Sequence, residues 1–501
     1  MKTNGCNPYL PSWEYVPDGE PRVFGGRVYV YGSHDRFGGP LFCMNDYVCW
    51  SAPEEDLTDW RFEGVIYRKE QDPMNPGGRR CLYAPDVVQG PDGRYYLYYA
   101  FDFMGRIGVA VCDEPAGRFE FYGHVAFPDG HLWGERAGEP FPFDPGVLVD
   151  DDGRVYLYSG FATRIPAPVT GFRQLENPGG VAVELEPDMR TIRQGPHLLF
   201  PRKGRPGAFE NHAFFEASSI RKVDGRYCFV YSSEHNHELC YAMADHPFGP
   251  FVFGGTLVDI GDVFLPGRPK EADAVNYLGN THGSIACIRG QWYVFYHRQT
   301  NRHSYSRQAC AEPLRRSPDG GFLQAPVSST GLRGKPLPDL GRVPARIACY
   351  LRSGQGTARY DIRLPRLRLA AHPYFTQVGS DRQQQPAQYI ANLRSGSAAG
   401  FSSFAFTGQP RRIGLRLRGS GRGVMLVSHR ENGDEPLAVI PVPADKSLLR
   451  PAVIHPRPGV RPLYFVFRGC GAVDFTGFAL GRPVCGVQNA GGYLAKQGQN
   501  G

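Results

Sequence analysis

No apolar run of about 18 residues occurs anywhere in this chain of 501 residues, so no segment reads as a membrane-spanning helix. The 12 cysteines show neither CxxC nor CxxH spacing, so they suggest no zinc cluster. Several of them (Cys228, Cys240, Cys287) fall inside strand-like stretches and read as reduced thiols. Positive charge is not concentrated either. The formal net charge is +7, and the arginines of the richest stretch (Arg411, Arg412, Arg416, Arg418, Arg422) are spaced as on a solvated strand. Nucleic-acid and membrane partners are therefore not expected. The first fifteen residues lack a charged region followed by an apolar stretch, so no secretory signal is expected and a cytoplasmic location is the default. Tryptophan is scarce and absent beyond Trp292.

What is abundant is 63 Gly, 44 Pro, 27 Tyr and 32 Phe, a mixture that favours many short strands joined by tight turns. Five segments repeat a turn glycine, a polar residue and an aromatic-rich strand: GGRVYVYGS (25–33), DGRYYLYYA (92–100), DGRVYLYSG (152–160), DGRYCFVYS (224–232) and RGQWYVFYH (289–297). Their glycines, Gly26, Gly93, Gly153, Gly225 and Gly290, are separated by 67, 60, 72 and 65 residues. A unit of that size with several strands matches one four-stranded blade, so the fold class expected is all-β, a five-bladed β-propeller followed by a β-sandwich.

Seven to nine residues before each glycine stands a polar residue at the start of the preceding strand: Asp18, Asp86, Asp144, Glu216 and His282. In a propeller these first strands line the axis, so the five side chains should converge. Carboxylates in one pocket cannot all ionise freely, and a pair whose pKa values separate serves glycoside hydrolysis as acid and base. Glu216, set in FFEASSI, has apolar neighbours that suit the acid. Asp18, in VPDGEP, suits the base, with Asp86 as the third carboxylate. His282 reads either as a partner of a bound cation or as a hydrogen-bonded channel histidine.

The stretches PDGEPRVFGGRVYVYGSHD, YAPDVVQGPDGRYYLYYA, FDPGVLVDDDGRVYLYSG, FFEASSIRKVDGRYCFVYSS and NTHGSIACIRGQWYVFYHRQ resemble the blade-opening motifs of glycoside hydrolase family 43. The resemblance implies an inverting hydrolase of arabinofuranosides or β-xylosides, in the first place an α-L-arabinofuranosidase acting on oligosaccharides. By the same resemblance Asp18 is the general base, Asp86 the pKa-modulating aspartate and Glu216 the general acid. It implies no cofactor for the chemistry and a structural calcium or other cation against His282. The family pattern has Asp-Pro at the base, whereas this chain reads Asp18-Gly19-Glu20-Pro21, so Glu20 stays open as the base and a catalytically silent sugar-binding propeller stays open as the function. Asp144 and Arg298 are expected to contact substrate.

The repeat ends near residue 325. A Gly/Pro-rich stretch, 326–345, reads as a linker, 346–485 as a β-sandwich and 486–501 as a tail. YIANLRSGSAAGFSSFAF, GLRLRGSGRGVMLVS and LYFVFRGCGAVDFTGFAL are similar to carbohydrate-binding module family 6. With no tryptophan in this part, Tyr389 or another aromatic would have to hold sugar.

Overall fold

The computed structural model describes residues 3–163, 165–359 and 370–483, and nearly all of its regular structure is β-strand. Five consecutive antiparallel sheets lie between Glu20 and Pro313. The first contains β1 (Glu20–Phe24), β2 (Arg27–Tyr31), β3 (Tyr47–Pro53) and β4 (Arg61–Tyr67). The second contains β5 (Asp86–Gln89), β6 (Tyr95–Ala100), β7 (Ile107–Cys112) and β8 (Glu120–His124). The third contains β9 (Gly146–Val149), β10 (Val155–Ser159), β11 (Gly179–Leu185) and β12 (Ile192–Pro201). The fourth contains β13 (Phe214–Val223), β14 (Arg226–Ser233), β15 (Glu238–Ala244) and β16 (Val252–Asp259). The fifth has three strands, β17 (Ser284–Ile288), β18 (Gln291–Thr300) and β19 (His303–Pro313).

The repeat glycine is the turn residue between the first two strands of each sheet, and all five take positive φ, from 77° at Gly26 to 85° at Gly93. In three sheets the turn is the two-residue pair Gly25-Gly26, Asp224-Gly225 or Arg289-Gly290, left-handed at both positions, the geometry that matches strand twist. A side chain at the glycine would be strained by its φ alone.

First strands touch in a closed order, β1 on β5, β5 on β9, β9 on β13, β13 on β17 and β17 on β1. The ends meet through the parallel bridge of Gly19 with Gly283. The N-terminal segment runs beside β19: the Tyr9 N–H donates to the Ala309 carbonyl, and the buried Asn7 side chain brackets the backbone of Ala311 with two 3.0 Å bonds. The three-stranded fifth sheet is thereby braced along β19 by the far end of the chain.

Two further six-stranded sheets enclose a core that includes Phe401, Phe404, Phe465, Phe475 and Phe478. The stretch 326–345 is not the linker expected from its composition. Leu337–Pro338 pairs in parallel with Ala398–Phe406, and Gly341–Pro344 pairs with Val473–Gly481, so this segment supplies a strand to each sheet. Glycine and proline there shape short strands instead of a spacer. The outer side of one of these sheets is also occupied. Tyr350, Ala398 and Val466 share a core with Val263, Leu278 and Ile285. The tail expected at 486–501 lies outside the described residues.

Candidate active site

A pocket of about 510 Å³ is lined by Asp18, Asp144, Glu216, His282, Arg307 and a wall of aromatic rings. Local backbone explains how the carboxylates get there. Asp18 and Asp144 precede their strands in left-handed conformation, with φ of 56° and 48°. Glu216 lies within β13 where the pairing with β14 shifts on either side of it, and the next residue, Ala217, has φ of 69°. Such kinks re-aim a side chain that an unbroken ladder would hold against the sheet.

Asp18 is buried, and its Oδ1 accepts from Arg307 Nη1 at 2.8 Å. Arg307 is held in turn by both oxygens of Asp35, through Nε at 2.8 Å and Nη2 at 2.9 Å. Burial pushes Asp18 upward, but the Arg307 charge, joined by His297, His282 and a hydrogen bond from Ser33, outweighs it and holds the carboxyl below the ordinary range. His297 Nε2 donates to the Asn280 carbonyl and its Nδ1 accepts the Asp18 N–H at 3.3 Å, the pattern of a neutral imidazole. Burial pushes its pKa down to about 3, in keeping with that state.

Glu216 is shifted the opposite way. Burial first, and then the charge of Asp144, push it up to about 8. Asp144 Oδ2 accepts the N–H of Ala217 at 3.0 Å, so Asp144 also braces the backbone that carries Glu216. His282 Nδ1 lies 3.5 Å from the same Asp144 oxygen. Although burial alone would lower it, the carboxylates of Asp144, Asp18 and Glu20 push His282 up to about 9.

Two expected site residues fall elsewhere. Asp86 does not line the pocket. It starts the regular ladder of β5 opposite Tyr98, and its carboxylate accepts from Arg22 Nε at 3.0 Å and from the Val147 N–H at 2.9 Å. Arg298 is likewise displaced, because side chains alternate along a strand and its neighbour His297 takes the inward face. Its guanidinium lies over the Phe375 ring, 3.8 Å from the centroid, between the two parts of the molecule. Sequence reasoning passed over Arg307, one strand later, and the aromatic wall of Phe42, Tyr83, Phe103, Phe143, Phe161 and Phe215. An arginine on β19 carries no motif of its own; a strand alternation count from His297, paired with Ala309, would have pointed it inward.

Glu20 lies beneath the pocket and outside its lining. Its Oε2 accepts from Arg221 at 2.6 Å and from Ser219 at 3.1 Å. Its Oε1 is buried with no hydrogen-bond partner among the described residues, 3.9 Å from His282 Nε2. The unsatisfied Glu20 oxygen suits a hard cation, which His282 could join only by giving up its proton.

A model of the glycosyl hydrolases family 43 matches residues 17–322. The chain is 46% identical to a xylosidase/arabinosidase of Thermoclostridium stercorarium, over 96% of this chain and 99% of that protein. It is 33% identical to xylosidase/arabinosidase 43A of Humicola insolens, over 56% of this chain and 88% of the relative. Among solved structures, a GH43_1 enzyme from Xanthomonas citri complexed with xylose superposes with a TM-score of 0.50 at 26% identity, covering 64% of this chain and 94% of that one.

Proposed function

The chain belongs to glycosyl hydrolases family 43, and from that premise we propose how its pocket works as an arabinofuranosidase or xylosidase. The catalytic unit is a five-bladed propeller with Asp18 as general base, Glu216 as general acid and Asp144, not Asp86, as the carboxylate that tunes the acid. The observation that carries this is the opposite displacement of two carboxyls lining one pocket, Asp18 held low by Arg307 and Glu216 held high by burial and Asp144.

Glu216 gives its proton to the glycosidic oxygen as the bond from the anomeric carbon breaks. Asp18 takes a proton from the water that forms the new bond on the opposite face, so the anomeric configuration inverts. Arg307 keeps Asp18 ionised until that transfer. The aromatic wall shields the bound sugar from water, and the substrates are hemicellulose oligosaccharides, with α-L-arabinofuranosyl removed first and β-xylosyl second. No cofactor is needed for these steps. A structural cation would be held by His282 and Glu20, where it supplies positive charge beneath Asp144.

The second unit, similar to carbohydrate-binding module family 6, is a β-sandwich whose outer face is committed to packing. Eleven unpaired cysteines among the described residues support a reducing, cytoplasmic setting.

The test is a panel of nitrophenyl glycosides and arabino-xylo-oligosaccharides with wild type, Asp18→Ala and Glu216→Gln. Wild type should turn over the α-L-arabinofuranoside and the β-xyloside with inversion seen by NMR. Glu216→Gln should lose about 10²–10⁴-fold in rate on oligosaccharides. The loss should be smaller on dinitrophenyl glycosides, whose leaving group needs no proton. Retention of configuration, or equal losses on both substrates, would sink the assignment.

A further inference from the structure

We propose that His235, His237 and Glu271 form a site for a zinc-class divalent transition metal at the rim of the pocket, separate from the catalytic carboxylates. The sequence between β14 and β15 reads Glu234-His235-Asn236-His237, and the tight turn with Asn236 at φ of 61° brings both imidazoles toward Glu271. One donor atom from each of the three residues lies within 4.8 Å of the others. Two imidazoles and a carboxylate are the donor set of zinc, cobalt, nickel or copper, not of calcium.

The surroundings orient these donors. His237 is fully buried, and its Nδ1 meets Asp259 Oδ2 at 2.5 Å. Asp259 Oδ1 is fixed by the N–H groups of Gly261 at 2.8 Å and Val263 at 3.0 Å. An Asp-anchored Nδ1–H leaves Nε2 as the ligand atom, here 3.1 Å from Glu271 Oε1. His235 Nε2 is buried with no hydrogen-bond partner among the described residues. Glu271 is 47% exposed, which gives an ion a way in.

A guanidinium already uses this place. Arg359 donates to Glu271 Oε1 at 2.8 Å and to the His235 carbonyl at 3.0 Å. A metal ion and Arg359 would compete for Glu271, and Arg359, Glu234 and Asn236 all line the catalytic pocket. The nearby set of His212, Glu238 and Cys240 also converges, but Glu238 is taken up by His212, Ser233 and Thr256. It serves as the control.

The experiment uses the full chain, stripped with chelator and kept in excess Ca²⁺ so that any hard-cation site on the axis is filled. Co²⁺ should give new visible absorption without a thiolate charge-transfer band, and Zn²⁺ should displace it at one ion per chain. His235→Ala and Glu271→Gln should each weaken Zn²⁺ binding about tenfold or more, with circular dichroism unchanged. Arg359→Gln should tighten it by removing the competing cation, and His212→Asn should leave it alone. Absence of the cobalt absorption, a thiolate band, full affinity in both His235→Ala and Glu271→Gln, weaker binding in Arg359→Gln, or equal loss in His212→Asn would each overturn the site. None of these readouts depends on glycoside hydrolysis.

Discussion

Asp144 matters through two contacts, its charge near Glu216 and its bond to the Ala217 N–H, and each makes a separate expectation. Glu216 must carry a proton to act, so kcat/KM should fall as pH rises through a value near 8. Asp18 must be ionised, so activity should fall on the acid side only as pH drops below the ordinary carboxylate range. Asp144→Asn removes the negative charge that holds the Glu216 proton, and the alkaline limb should move to lower pH. Asp86→Asn should leave that limb in place and instead lower the urea midpoint, because it breaks the pair with Arg22 inside the ring. A pH–rate profile of the two variants decides between them. If only Asp86→Asn shifts the limb, the tuning role belongs to Asp86 after all. Counting residues back from the repeat glycine picked out Asp18, Asp144, Glu216 and His282, which line the pocket, together with Asp86, which does not, and the count alone could not separate the two aspartates Asp86 and Asp144. The count is blind to the sign of φ, and Asp144 reaches the mouth because it is left-handed, while Asp86 stays in its ladder.

At the scale of strands and turns the sequence was far more legible. A glycine forced by positive φ, followed by alternating aromatic residues, leaves a mark that survives loops of different length. The docking of the N-terminal segment on β19 left almost no mark, because Asn7 and Tyr9 lie far in sequence from that strand. Asn7 is buried and also donates to Glu312 Oε1 at 2.7 Å and to the Ser328 carbonyl at 3.1 Å. Asn7→Ala strands those partners without water, a loss of about 1–3 kcal/mol. Urea unfolding should show it as a lower midpoint at unchanged slope. An unmoved midpoint would mean that the segment does not brace the fifth sheet.

Across the whole molecule, the apolar faces of Tyr350, Ala398 and Val466 are spent on the fourth and fifth sheets and not on ligand. Polar ties join the second unit to the residues flanking the first sheet as well: Arg382 Nη1 donates to Glu14 at 3.0 Å, Asp381 accepts the Phe37 N–H at 2.8 Å, and Tyr15 donates to Gln377 at 2.7 Å. Calorimetry of the full chain should therefore give one cooperative transition. A chain ending at residue 325 should be insoluble or melt at lower temperature, since it exposes that shared core. If it stays soluble, melts as before and keeps its KM, the second unit is an independent module. Composition misled here because glycine and proline serve short edge strands as readily as spacers, and pairing partners more than 60 residues away are invisible in a local window.

The bond between Tyr9 and Ala309 also sets an order of events in the cell. A ribosome releases the first sheet long before β19 exists. At roughly 5–20 residues per second, about 300 residues must follow before the N-terminal segment meets its partner. For that interval the inner strands lie open at both ends of an unfinished arc. Nascent chains are therefore exposed to chaperones and to one another for longest just before the last sheet emerges, and pausing translation there should increase aggregation more than pausing anywhere earlier.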